Sequence, residues 1–322
     1  MRTKIIALFC AVTIFAGLGV SCHKRSGPAG SKTNPIRFFF MPLKGDAVFV
    51  KNAPVLKKYL EEKTGFAIEP VNSPDFVTIV KAFGNNQADI AFMNTLGYLM
   101  ARDWAKAEAG LTVVYGDIYK TYRGEILAQV GGKINSLADI NGKTVAFADP
   151  FSAGGYLYAL KLFQDNNIKP AKIIFAKGHK DAVEMVYNGK VDAAVTYHSR
   201  PSAEGSEQDA RIELLKNHPD IFAKLKIVAL TDEIPNGPVA LSAKLPVQTK
   251  MKLIDTLLQF SQTVEGRKTL SDLYNITGLA PTSEAEYDQV QAVIKKLGKN
   301  VEEMVPGGVT FYRTKISPLL EQ

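Results

Sequence analysis

Cysteine is almost absent from this sequence of 322 residues, which holds only Cys10 and Cys22. Both lie near the N-terminus, so the rest of the chain has neither a disulfide framework nor a cysteine-based metal site. Histidine is scarce: His23, His179, His198 and His218 are the four, and their spacing suggests no metal site. Catalytic motifs are missing too. There is no Gly-x-Ser-x-Gly elbow, no His-Glu-x-x-His, no Walker loop and no Rossmann Gly-x-Gly-x-x-Gly. No triad and no cofactor site can be assembled, and an enzyme is not expected. Beyond the N-terminus no apolar run is long enough to span a bilayer. Basic residues are scattered and not interleaved with aromatics, which argues against nucleic-acid binding.

The N-terminus is different. Arg2 and Lys4 precede an almost wholly apolar stretch from Ile5 to Val20, and a polar Ser/Gly/Lys segment follows. This pattern is a secretory signal and not a membrane helix. Leu18-Gly19-Val20-Ser21-Cys22 resembles a bacterial lipoprotein cleavage site, although Gly19 stands where Leu is preferred. The resemblance implies removal of residues 1–21 and lipidation of Cys22. An ordinary signal with a Cys near its end is the alternative. His23 to Asn34 has few large apolar side chains, so 22–34 is expected to be a flexible, lipid-anchored tether. Losing Arg2 and Lys4 with the signal lowers the formal charge from +7 to +5, a weak bias toward anionic ligands.

The length suits two lobes of moderate size. Ile36 to Phe40 is an apolar run that predicts a buried strand. A helix is expected over about Val50 to Thr64, closed by Gly65, then a strand at Ala67 to Val71. Asp75 stands at an N-cap position before Phe76, Ile79, Val80 and Phe83. Asp89 to Met93 is a third strand, and Tyr98 and Trp104 after it are assigned to core packing. The pattern restarts with a capped turn at Ser136 to Ile140 and strands at Thr144 to Phe147, Lys172 to Phe175 and Val191 to Thr196. Helices over about Tyr156 to Asn167 and His179 to Tyr187 separate them. This alternation implies βαβ units and largely parallel sheets. Gly84 before Asp89 and Gly189 before Asp192 form a weak internal echo, which two lobes of one plan would produce and common turn chemistry would also explain. From about Lys250 the chain reads helical, with apolar positions Leu253, Leu257, Phe260, Leu270, Leu273, Tyr287, Val290 and Ile294.

One loop has a clear physical use. Asp149-Pro150-Phe151-Ser152-Ala153-Gly154-Gly155-Tyr156 runs from a strand end into a helix start. Ser152 suits the cap, the glycines permit close backbone approach, and the first turn offers free N–H donors at the positive end of the helix dipole. An oxyanion fits there, at the carboxyl edge of a parallel strand where open α/β sheets bind ligands. A plain Ser/Gly cap is the bland alternative. His179 opens the next helix at the same edge, where its ring can donate to an anion. A lone His is more often structural, but its place on a second loop of that edge favours the site.

At this point the order of motifs resembles the phosphonate/phosphite/phosphate-binding proteins of ABC importers. The resemblance spans roughly Ile36 to Val293. It rests on Ala88-Asp89-Ile90-Ala91-Phe92, Asp149-Pro150-x-Ser152-x-x-Gly155-Tyr156-Leu157 and Gly178-His179-x-x-Ala182-Val183. Asn188-Gly189-Lys190-Val191-Asp192-Ala193 and Ile234-Pro235-Asn236-x-Pro238 add to it. It implies a two-lobed type II periplasmic-binding-protein fold: α/β, with mixed, mostly parallel sheets and two hinge strands. The family's Ser-Thr-Ser-Gly loop corresponds to Ser152, Ala153, Gly154 and Gly155, with two hydroxyls lost and their N–H groups kept. Its His corresponds to His179, a helix-start Tyr to Phe76, and a Tyr entering the hinge to Tyr122. Where aminophosphonate binders place acids for the ammonium, this chain has Tyr197, His198, Ser199 and Arg200, and Gly237 replaces an Asp. A cationic tail would be left unpaired. Arg200 would favour a second anionic group if it faces the cleft, and is otherwise a solvated surface residue.

The resemblance implies a monomeric receptor, 35–130 with 236–322 forming one lobe and 131–235 the other. It would capture a small oxyanion in the periplasm or at the cell surface, dock on an inner-membrane ABC permease and need no cofactor or metal. A sensor for a membrane receptor, an enzyme on the same fold, and a lipoprotein that no longer binds a small molecule are the competing readings.

Overall fold

The apolar run Ile36–Phe40 becomes a central strand because it has cover on both faces. Ile36, Phe38 and Phe40 point into one core, and Phe39 points into another on the opposite face. Burying such a side chain contributes about 1.5–3 kcal/mol. The computed structural model describes residues 26–300 apart from 44, 117 and 202–204. The expected signal segment, Cys22 and the last 22 residues lie outside the described residues.

Along the chain, β1 (Ile36–Phe40), α1 (Asp46–Thr64), β2 (Ile68–Asn72), α2 (Phe76–Gly84), β3 (Ile90–Phe92), α3 (Thr95–Ala105) and β4 (Glu108–Val114) come first. Then follow β5 (Thr121–Gln129), β6 (Thr144–Phe147), α4 (Tyr158–Asp165), β7 (Lys172–Phe175), α5 (His179–Tyr187), β8 (Ala193–Ser199), β9 (Gln208–Asp209), α6 (Ile221–Lys224) and β10 (Leu225–Pro235). The final group is β11 (Pro238–Leu241), α7 (Val247–Gln262), α8 (Val264–Tyr274), β12 (Gly278–Pro281) and α9 (Ala285–Lys296).

Two sheets result. The first runs β12-β4-β11-β3-β1-β2 and the second β10-β5-β8-β6-β7, with β9 paired to β8. Both are mixed. Parallel pairing is confined to the βαβ segments, β1 with β2 and β3, and β6 with β7 and β8. The remaining pairs are antiparallel. The sheets are thus less parallel than alternation alone suggests, because β4, β5, β10 and β11 enter them as the chain crosses between sheets and returns. β5 belongs to the second sheet, so the change of sheet falls between 115 and 121.

Helices fill the faces. α1 lays Leu56 and Leu60 on one face of the first sheet, together with Leu253, Leu257 and Phe260 of α7 and Leu270 and Leu273 of α8. On the other face α2 and α3 pack with Tyr287, Val290, Val293 and Ile294 of α9. Tyr98 is fully buried there and donates its hydroxyl to Glu284, and Trp104 packs against the same core. Asp75 caps α2, its Oδ1 accepting from Thr78 N at 2.7 Å. In the second sheet Val145 and Phe147 face α4, while Ala146 faces α5.

The stretch expected as a tether is folded where it is described. Gly30 N–H donates to Asn34 O at 2.8 Å, and Ala67 N–H donates to Gly30 O at 2.7 Å. Thr33 Oγ1 and Asn34 Nδ2 donate to the carbonyls of Ser26 and Gly27, and Ala29 touches the core. Local hydrogen bonds of Thr and Asn build a turn here, although the apolar content is low.

The chain passes between the sheets twice, at 115–120 and at 236–237. Asn236, 1% exposed, ties the two passages together. Its N–H donates to Lys120 O at 2.8 Å, and its Nδ2 donates to Val113 O and Tyr119 O, both at 2.9 Å. Its carbonyl accepts from Tyr287 Oη at 3.0 Å. Asn236→Ala strips two carbonyls of their donor, so chemical denaturation is expected to show a loss of about 2–4 kcal/mol. An unchanged unfolding midpoint would contradict this role.

Candidate functional site

The Asp149–Tyr156 loop follows β6 and becomes a short π-helical turn over Ala153–Leu157. Ser152 caps it, Oγ accepting from Gly155 N at 2.8 Å. Asp149 stabilises the approach by accepting from Phe151 N at 2.6 Å, while burial raises its carboxyl above the usual range. Both glycines are needed for space. A Cβ on Gly154 would lie 2.7 Å from the Tyr122 ring. One on Gly155 would lie 2.9 Å from both His179 Cε1 and Ser152 Oγ. His179, at the start of α5, sits with Nε2 3.4 Å from Ser152 Oγ and packs edge-on against Tyr197 at 4.9 Å. The two loops picked out from sequence therefore meet.

The first sheet reaches the same place through Asn94, which caps α3 by accepting from Gly97 N at 2.7 Å and donates Nδ2 to Phe151 O at 3.2 Å. A cavity of about 620 Å³ opens beside this junction. Tyr122, His179, Tyr197 and Arg200, four of the residues singled out from sequence, line it. Ser152, Ala153 and Gly154 stand behind its wall: the Tyr122 ring packs on Gly154, and the Gly154 backbone hydrogen-bonds the Tyr122 hydroxyl. Phe76 is not in the lining and packs into the apolar core around Met93 and Leu96, the natural place for a ring without a hydroxyl.

Arg200 lines the cavity but is not a free cation. Its Nη2 donates to Glu233 Oε1 at 2.6 Å, its guanidinium lies over the Tyr119 ring at 5.0 Å, and Arg123 joins the same carboxylate at 3.2 Å. Burial raises the hydroxyls of Tyr122 and Tyr197 well above the usual tyrosine range, so both are neutral donors at pH 7. No carboxylate lines the cavity among the described residues. Asn94, Tyr115 and Tyr274 also line it and were not singled out from sequence, and so does Asn236, which the sequence showed only as part of the Ile234–Pro238 motif. Asn94 carried a readable signal, an Asn directly after an apolar strand and before a helix.

Beneath Tyr197 lies a charged cluster that the sequence did not reveal. Glu125 is fully buried and accepts from Thr196 Oγ1 at 2.7 Å. Its other oxygen faces His198 Nδ1 at 3.4 Å, and Asp209 completes a group whose candidate ligand atoms lie within 4.8 Å of one another. Arg211 already supplies the positive charge: Asp209 accepts from Arg211 N, Nε and Nη2 at 2.7–2.9 Å. A guanidinium in that position opposes a metal ion.

A cavity walled by two α/β sheets that the chain crosses twice is the architecture of type II periplasmic binding proteins. The chain belongs to the family of periplasmic phosphonate substrate-binding proteins of ABC transporters, which matches it over residues 38–287. It is 26% identical over 222 residues to the phosphonates-binding periplasmic protein of Escherichia coli, covering 66% of this chain and 62% of that one. It is 27% identical over 207 residues to the phosphate-import protein PhnD of Mycolicibacterium smegmatis, covering 59% and 64%. The chain thus spans less than two thirds of the length of these curated relatives. Among solved structures, PhnD1 from Prochlorococcus marinus in complex with methylphosphonate has the same fold, with a TM-score of 0.65 at 15% identity over 82% of this chain and 98% of that one.

Burial pushes the Glu125 carboxyl up from 4.5 to about 7. The folded protein therefore holds a proton that the unfolded chain releases near 4.5. This contribution to stability is complete below that value and is lost as pH rises toward 7. A thermal-denaturation series is expected to show a steeper fall over this window for the wild type than for Glu125→Gln, which keeps the acceptor for Thr196. Parallel curves would contradict the assignment.

Proposed function

We propose that this chain is the substrate-binding component of an ABC importer and captures a small phosphorus oxyanion, a phosphonate, phosphite or phosphate, between two lobes. The lobes correspond to the two sheets, 26–115 with 236–300 on one side and 121–235 on the other. The observation that carries this reading is the convergence of the Ser152–Gly155 turn and His179 at the carboxyl ends of parallel strands β6 and β7, facing Asn94 of the first sheet. Backbone N–H groups at a helix start bind oxyanions through their hydrogen bonds and dipole. Ser152 and His179 add side-chain donors, and the Tyr122 hydroxyl stands next to Gly154. For an anion to reach the N–H groups of Ala153 and Gly154, the Tyr122 ring must swing off Gly154. Ligand entry and rearrangement of the wall are then one event. Family membership and the missing catalytic motifs support binding and not turnover.

The chain works as a monomer in this reading, held in the periplasm by lipid on Cys22, with the permease and ATPase as separate chains. Membrane fractionation tests the anchor, a Cys22→Ser variant being expected in the soluble fraction.

Isothermal calorimetry tests the ligand. The protein from residue 22 with Cys22→Ser is titrated with phosphate, phosphite, methylphosphonate and 2-aminoethylphosphonate. At least one of the first three is expected to bind, and Ser152→Ala and His179→Ala each to weaken it at least tenfold. 2-Aminoethylphosphonate is expected to bind more weakly than methylphosphonate, because its ammonium finds no carboxylate in the lining among the described residues. No binding of any of the four would sink the assignment.

A further inference from the structure

Besides the two chain passages at 115–120 and 236–237, α9 makes a further link between the two halves. It touches α3, which packs on the first sheet, and α4 and β10, which belong to the second. Its N-terminal end is fastened to the first half. Arg102 of α3 donates from Nη1 to Asp288 Oδ1 and from Nη2 to Gln291 Oε1, both at 2.9 Å. Glu284, which caps α9, accepts from the Tyr98 hydroxyl and, at 2.7 Å, from Ala109 N. Tyr287 donates to Asn236 O at 3.0 Å, beside the second passage.

The C-terminal end of α9 is held by the other half. Lys296 Nζ lies 2.6 Å from Asp165 Oδ1 at the end of α4. Asp165 also accepts from Lys161 at 2.9 Å, and Lys161 donates to Asp232 of β10 at 2.8 Å. At a rise of about 1.5 Å per residue, Lys296 stands roughly 13 Å along the helix from Tyr287, well removed from the Asn236 passage. A rigid helix tied at both ends resists movement of one sheet against the other.

Between its ends, Tyr287, Val290, Val293 and Ile294 of α9 share one apolar core with Ala153, Leu157 and Tyr158, and all seven are buried. The last three come from the turn after β6 and the start of α4. The turn that offers its N–H groups to an oxyanion is therefore part of the core that joins the halves. Asn94 Nδ2, donating to Phe151 O, closes the contact beside it. Parting the halves would expose this apolar surface to water, which is unfavourable.

We propose that α9 is a strap that holds the two halves together over the Ser152–Leu157 turn and sets how readily they part. The helix moves with the first half, to which buried Tyr98 and Tyr287 and the Arg102 guanidinium bind it. Its far end is the weaker one, because an exposed ion pair contributes little. Release at Lys296 and Leu297 frees the turn. A ligand that reaches the turn only in the released form has its apparent affinity scaled by the fraction released. Such a strap presupposes the two-lobe receptor proposed above and adds the element that controls its opening.

Hydrogen exchange followed by mass spectrometry tests the strap on the protein without ligand. The wild type is compared with the double variant Lys296→Glu/Leu297→Ser. Lys296 is exposed and Leu297 half-buried at the end of α9, so the contacts with α3 stay in place. Exchange of the amides over 153–160 is expected to be at least fivefold faster in the variant, with those of β1 and β3 unchanged. Unchanged exchange over 153–160 would overturn the strap, and so would equal acceleration in β1 and β3, which reports a general loss of stability. The measurement needs no ligand and is separate from the calorimetry: failure of all four oxyanions to bind sinks the receptor reading, whereas unaltered exchange removes only the strap.

Discussion

A single buried amide holds the two halves of this molecule in register. The chain crosses between its sheets at 115–120 and returns at 236–237, and Asn236 binds the first passage from within the second. Three donated hydrogen bonds from one residue fix both passages to each other. The antiparallel pairing of β5 with β10 continues that alignment into the second sheet and places Tyr122, Arg123 and Glu233 beside the cavity. Wherever backbone carbonyls are buried at a crossover, some donor must satisfy them, and here the residue that does so is also part of the cavity wall.

The site built around this clasp is poor in charge. Tyrosines kept neutral by burial, amides and helix-start N–H groups dominate, and Arg200 has already been paired with Glu233. In the proposed reading such a surface holds an anion through preorganised dipoles more than through a counter-ion, so no buried ion pair has to be broken when the ligand leaves. Below it, Asp209 and Arg211 form a buried pair within reach of Glu125 and His198, so the floor of the site carries its charge internally. The arrangement of Tyr122 over Gly154 links access to the N–H groups with the conformation of the wall.

Much of this was legible in the residues. Ile36–Phe40, Thr144–Phe147 and Lys172–Phe175 form strands with the limits their apolar runs imply, because turn residues bound them closely. Asp75 caps its helix as its position before an apolar periodic segment requires. Ser152 and His179 were readable as a pair because both follow strands of one parallel edge. The antiparallel strands β4, β5, β10, β11 and β12 were not, since their side chains alternate irregularly and their partners lie far away in sequence. The same distance hid the Arg200–Glu233 pair and the buried Glu125, whose environment comes from β8 and β9. A helix start faces either a ligand or a core, and only packing shows that Phe76 lies against the core around Met93 and Leu96. The folded turn at 26–34 escaped because its order comes from local hydrogen bonds and not from apolar content.

In the proposed function an oxyanion sits on the N–H groups of Ala153 and Gly154 with Ser152 and His179 beside it. A crystal structure with bound methylphosphonate tests this most directly. The phosphoryl oxygens are expected within hydrogen-bond distance of those N–H groups and of Ser152 Oγ, with the Tyr122 ring displaced from Gly154. Ligand density elsewhere in the cavity, with Tyr122 still packed on Gly154, would contradict the account.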